Sequence, residues 1–152
     1  MKLTIRRTKG DPRDVQLIRE AVPFILSRLL KPLHMKGVTL HITLTTLKRD
    51  FGDISVSEAP KFRLRLHHEM DTLFMIVTLA HELVHMAQVM DGRLSFKKIN
   101  NLAVWHWMGE PYGAEPYADP DANLPWETDA VLLESDLACQ FFEWYVTSLN
   151  AS

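Results

Sequence analysis

The stretch "TLAHELVHMAQ", residues 78–88, sets His81 and His85 four positions apart, with Glu82 directly after the first histidine, inside an otherwise apolar run. On an α-helix, residues i and i+4 stand one above the other, so both imidazoles can aim at a single point. Glu82 is rotated by about 100° from His81. It can therefore reach a water at that point while staying outside the ligand set. The spacing separates two tasks, holding a divalent metal and taking a proton.

Random placement of seven histidines and nine glutamates in 152 residues gives about 0.02 occurrences of this pattern. A core helix carrying these groups by coincidence would need a partner for each of them, since an unpaired buried polar group costs about 1–3 kcal/mol. A metal satisfies two of them at once, so the pattern points to zinc with His81 and His85 as ligands and Glu82 as general base. A catalytic zinc normally takes three protein ligands and keeps one position open. The close downstream histidine of the H-E-x-x-H-x-x-G-x-x-H pattern is absent, because position 88 is Gln and position 91 is Asp. The third ligand must come from elsewhere, and Glu127 and Glu134, seven apart on a C-terminal helical stretch, both qualify.

Working outward, residues 70–90 read as one helix, with "DG" at Asp91-Gly92 as its stop. The strand "KFRLRLHH" enters it through a short turn, and "GVTLHITLT" alternates as another half-buried strand with His41 on its solvent side. Arg63 and Arg65 fall on a solvated strand face. "DPRDVQLIREAVPFILSRLLKPL" reads as a long helix with Asp11 as N-cap, Pro12 in its first turn and Pro23 as a kink or division. Residues 93–124, rich in Pro, Gly, Asn and aromatics, read as an irregular rim with one or two short strands around Ala103 to Trp107. "NLPWETDAVLLESDLACQFFEWYVTSL" closes the chain as a helix, with Asn123 as a possible cap.

Composition bounds the rest. A chain of 152 residues, 47% hydrophobic and 24% charged, suits one α+β domain spanning 1–152. A net charge of −2 supplies no general field for nucleic acid or an anionic membrane, so neither partner is expected. Cys139 is the sole cysteine, which excludes an intrachain disulfide and a Cys-based metal site. No secretory pattern opens the chain, and the apolar run "TLFMIVTLA" is too short to span a bilayer, so a cytoplasmic protein is expected. Trp105, Trp107, Trp126 and Trp144 read as packing residues, since no basic cluster interleaves with them.

"HELVH", followed by "WHWMGEPY" and then "YADPDANLPWETDA", resembles small gluzincin-type metallopeptidases, the minigluzincins and their SprT-like relatives, over roughly residues 36 to 145. The resemblance implies a zincin-like fold: an N-terminal backing helix, a small mixed or antiparallel sheet, the active-site helix and a C-terminal glutamate helix. It implies Glu127 of "PWETDA" as third ligand. Larger gluzincins often carry, one turn further on, an acid that holds a ligand histidine from behind. Here that position is Val131, which leaves the outer partner of His81 or His85 unassigned.

The implied activity is a zinc-dependent endopeptidase in which Glu82 takes a proton from metal-activated water and passes it to the leaving amine. The strand "KFRLRL" resembles the rim strand on which such enzymes pair an extended peptide or protein substrate. Tyr112, Tyr117 and His106, all in the rim, are the candidate oxyanion donors. A different class, a non-catalytic zinc-binding or scaffold protein with a degenerate peptidase fold, would instead have its fourth coordination position closed by a side chain such as Asp119 or His106. A third reading, a SprT-like protease acting on nucleic-acid-bound proteins, is disfavoured by the charge and by the lack of a Cys-rich zinc ribbon.

Overall fold

Leu40, Ile42 and Leu44 alternate with His41 and Thr43, and Phe62, Leu64 and Leu66 alternate with Arg63 and Arg65. In both runs the apolar set is buried. This period of two builds a sheet with one face on the core and one toward solvent. The computed structural model describes residues 1–58 and 60–151. Its first sheet comprises β1 (Lys2–Arg7), β2 (Thr39–Thr45), β3 (Gly52–Glu58) and β4 (Lys61–His67), in the order β1-β2-β4-β3. β1, β2 and β4 run parallel, and β3 pairs antiparallel to β4. β3 is therefore an edge strand, while Lys61–His67 lies inside the sheet with both sides paired. That corrects the expectation that "KFRLRL" is the rim strand, because a strand bonded on both sides has no backbone groups left for a substrate. On the solvent face Arg65 makes a paired contact with Asp53, as expected of a solvated strand face.

α1 (Pro12–Leu29) starts where expected: the Asp11 carboxylate accepts from the backbone N–H of Arg13, and Pro12 opens the helix. It runs unbroken through Pro23 rather than dividing there. Both Pro23 and Arg19, whose carbonyl loses its helical donor, lie on the exposed side, where water can replace that bond. Ile18, Ala21, Val22, Ile25 and Leu26 face the core.

α2 (Thr72–Met90) is capped by Asp71, whose side chain accepts from the Phe74 N–H, and ends at Gly92 with φ +83°. It packs on α1, on the sheet and on α3 (Pro125–Asn150). By length and composition α2 could cross a membrane, which corrects the judgement made on its shorter apolar run; 61% of that stretch is buried inside this fold. α3 has Leu124 at its N-cap with no side-chain cap bond; Asn123 instead accepts from the Thr128 hydroxyl.

The rim is more regular than its composition suggests. Residues 94–113 form an antiparallel meander of β5 (Leu94–Ile99), β6 (Leu102–Trp107) and β7 (Glu110–Gly113). Its tight turn places Asn100 and Asn101 at φ 51° and 67°, values Asn tolerates better than most residues. Leu94, Leu124 and Trp126 form a second apolar cluster beneath it, with Val89, Trp105 and Trp107 packed against them. Among the described residues the architecture is thus α+β, with three α-helices and two sheets.

Candidate metal centre

Leu79, Ala80, Leu83, Val84, Met86 and Ala87 are fully buried, so the apolar faces of α2 fix the helix in the core. The remaining face turns His81, Glu82 and His85 toward a cleft of about 1120 Å³. One wall is the segment Asp50 to Ser57, which includes β3. The opposite wall holds Phe96, Ala103, Trp105 and Tyr117.

At the cleft floor the Nε2 atoms of His81 and His85 lie 3.1 Å apart. Glu127, from the first turn of α3, stands across from both: Oε2 is 3.3 Å from His81 Nε2 and Oε1 is 2.8 Å from His85 Nε2. The ligand atoms of the three residues lie within 4.8 Å of one another, close enough to bind one metal ion. Among the described residues, the group comprises these three side chains.

The outer nitrogens are also held. His81 Nδ1 donates to Glu134 Oε2 at 2.7 Å, and His85 Nδ1 donates to Gln88 Oε1 at 2.9 Å. Acceptors behind both rings keep the protons on Nδ1 and leave the Nε2 atoms to face Glu127. Glu134, the other candidate ligand, is thereby placed behind a ligand histidine, two turns beyond Glu127. Val131, one turn beyond, is exposed.

The local field favours positive charge. Burial opposes protonation of His81, but hydrogen bonds to Glu127 and Glu134 outweigh it and hold the imidazole at about 9. His85 is raised as well, its burial overcome by Glu127 and Gln88. Burial alone would raise Glu127, yet the two imidazoles and Tyr117 hold its carboxyl well below the usual range. A spot that stabilises protons on two facing imidazoles stabilises a divalent cation between them in the same way, so the donor set fits a metal.

Glu82 differs from Glu127. It is 8% exposed and hydrogen-bonds neither histidine; burial pushes its carboxyl up to about 7 despite the nearby imidazoles. Such a group changes protonation near neutrality.

Of the three rim candidates, the structure brings one to the site. The Tyr117 hydroxyl donates to Glu127 Oε1 at 2.8 Å and accepts from Trp126 Nε1 at 2.8 Å. Burial, together with donation to Glu127, raises the phenol above its ordinary value. His106 and Tyr112 stand elsewhere. On β6, Ala103 and Trp105 face the cleft, so alternation turns His106 to the other side, where it is buried with Nδ1 at 3.0 Å from the Val104 carbonyl. Tyr112, on β7, packs edge-on against Trp126 outside the cleft.

Sequence reasoning missed two contributors, the β3 wall and Gln88. "GDISVSE" alternates too weakly in polarity to stand out. Gln88 was noted merely as a departure from a longer histidine pattern, although its position three after His85 puts it on the same helix face. No family model, curated protein or solved structure matches the chain.

Proposed function

We propose that the chain is a zinc-dependent metalloendopeptidase of the small gluzincin kind, with a zincin-like arrangement of backing helix, sheet, active-site helix and glutamate helix. The observation that carries this reading is the convergence of His81, His85 and Glu127, from two helices, at the floor of a cleft walled by an edge strand. Two imidazoles and one carboxylate are a common donor set for catalytic zinc.

Bound zinc would supply Lewis-acid polarisation of a carbonyl and a nucleophilic water at neutral pH. Glu82 takes the proton and returns it to the departing amine, a role that suits a carboxyl held near 7. Tyr117 is the donor best placed to meet developing negative charge on the substrate oxygen. β3, paired only with β4 among the described residues, offers backbone groups to an extended peptide as one more antiparallel or parallel strand.

A scaffold with a closed zinc site has less support. Asp119 accepts from the backbone N–H of Asp121, and His106 faces away, so neither side chain that would close the site belongs to the metal group. The test is metal analysis joined to peptide hydrolysis. About one zinc per chain, with cleavage that a chelator stops and zinc restores, is expected. Protein purified without chelators that carries no stoichiometric metal and takes up none would overturn the reading.

A further inference from the structure

Gln88 is fully buried, and every polar atom of its side chain is engaged. Its Oε1 accepts from His85 Nδ1. Its Nε2 donates to the Trp126 carbonyl at 3.0 Å and to Asp129 Oδ2 at 2.9 Å. Those acceptors flank Glu127 in the chain, one residue before it and two after. A single side chain on α2 thus touches the second histidine of the metal group and grips the helical turn that carries the carboxylate.

The chemistry of an amide makes this arrangement directional. With Nε2 committed to two acceptors on α3, Oε1 must be the atom that faces His85. An acceptor there requires His85 to carry its proton on Nδ1, so Nε2 keeps its lone pair for the metal. A carboxylate at position 88 could also hold His85, but it would turn an oxygen toward the Trp126 carbonyl and the Asp129 carboxylate, where only donors fit. The amide is neutral as well, so the link adds no charge beside Glu127. Asp129 is answered from the other side by Arg93, whose Nη1 lies 3.1 Å from Oδ2 and whose Nε pairs with Asp91. Asp91 closes α2, so the same set of contacts ties the end of α2 to the start of α3.

Building on the metal-centre reading, we infer that Gln88 is a positioning residue that sets the His85 tautomer and the separation of His85 from Glu127 together. It acts through those two residues and touches neither the metal nor the substrate.

The test compares wild-type protein with Gln88→Glu and Gln88→Leu, by zinc competition against a chromophoric chelator and by the visible absorption of the cobalt(II)-loaded proteins. Circular dichroism and cooperative thermal unfolding without metal establish that each variant is folded. Both variants are expected to bind zinc about 10–100-fold more weakly than wild type, the usual loss when an outer partner of a metal ligand is removed. Both should also show a changed cobalt spectrum. If Gln88 only supported His85, Gln88→Glu would retain wild-type affinity and spectrum, and that result overturns the inference. Should Gln88→Glu fail to fold, Gln88→Leu, which adds no charge, decides alone: wild-type affinity with an unchanged spectrum overturns the proposal. Wild-type protein that binds no zinc would sink the metal centre itself, a different failure.

Discussion

Glu134 and His81, 53 residues apart in the chain, meet across α2 and α3 with Oε2 2.7 Å from Nδ1. The contact faces away from Glu127, so the carboxylates seven apart on α3 do different work. One reaches both Nε2 atoms, and the other orients a ring from behind. Replacing Glu134 by Ala is therefore expected to weaken zinc binding by about 10–100-fold, with Glu134→Gln recovering part because an amide oxygen still accepts from Nδ1. Chelator competition measures both. A loss as deep as that of Glu127→Ala would instead make Glu134 a ligand.

Glu82 should separate binding from turnover. It contributes no atom to the metal group, and its carboxyl is the buried acid beside that group. Glu82→Gln is expected to retain one zinc per chain while hydrolysis falls by about 10²–10⁴-fold. Metal content and peptide turnover, read on one preparation, check this. Loss of zinc in this variant would move Glu82 into the ligand set.

Glu127→Ala should uncouple metal from folding stability. Binding to the native state alone stabilises by about 4 kcal/mol when free metal is a thousand times its dissociation constant. Zinc is accordingly expected to raise the Tm of the wild-type protein by several degrees and to leave that of Glu127→Ala nearly unchanged. Equal shifts in the two proteins would place the stabilising metal elsewhere.

The metal group was legible because helix geometry is local: a four-residue spacing carries its meaning whatever surrounds it, and Glu127 stood beside Trp126 in a distinctive context. The division of labour between Glu127 and Glu134 was not, since it depends on where α3 lies against α2. The same holds for the rim. Tyr112, Tyr117 and His106 share a segment, and only the alternation of β6 and the packing on Trp126 decide which of them looks into the cleft. β4 was recognised as a strand from its period of two, but its interior position follows from β3, whose polar sequence gave little signal.

Trp126 joins the aromatic rim to the site. It is fully buried, stacks on Trp105 at 5.4 Å between ring centroids and donates to the Tyr117 hydroxyl. Trp126→Ala is expected to cost about 3–5 kcal/mol by leaving a cavity in the second apolar cluster. Trp126→Phe should cost less in stability while releasing Tyr117 from one of its two bonds. Thermal unfolding ranks the two; comparable losses would locate the contribution of Trp126 in its N–H rather than its volume.

Gly52 sets how closely β3 approaches α2, and hence the width of the cleft. A Cβ at this position would lie 2.8 Å from Thr78 Cγ2 and 3.3 Å from the Arg65 carbonyl oxygen. Thr78 cannot easily turn its methyl away, because its hydroxyl donates to the Phe74 carbonyl at 2.8 Å and a β-branched side chain has few helical rotamers. Gly52→Ala is therefore expected to push β3 outward and to cost about 1–3 kcal/mol, as overpacking does. Thr78→Ser removes the offending methyl and keeps the hydroxyl, so the double variant should regain much of the lost Tm. If the two substitutions destabilise additively, contact between Gly52 and Thr78 does not set the spacing, and the Arg65 carbonyl becomes the limiting neighbour.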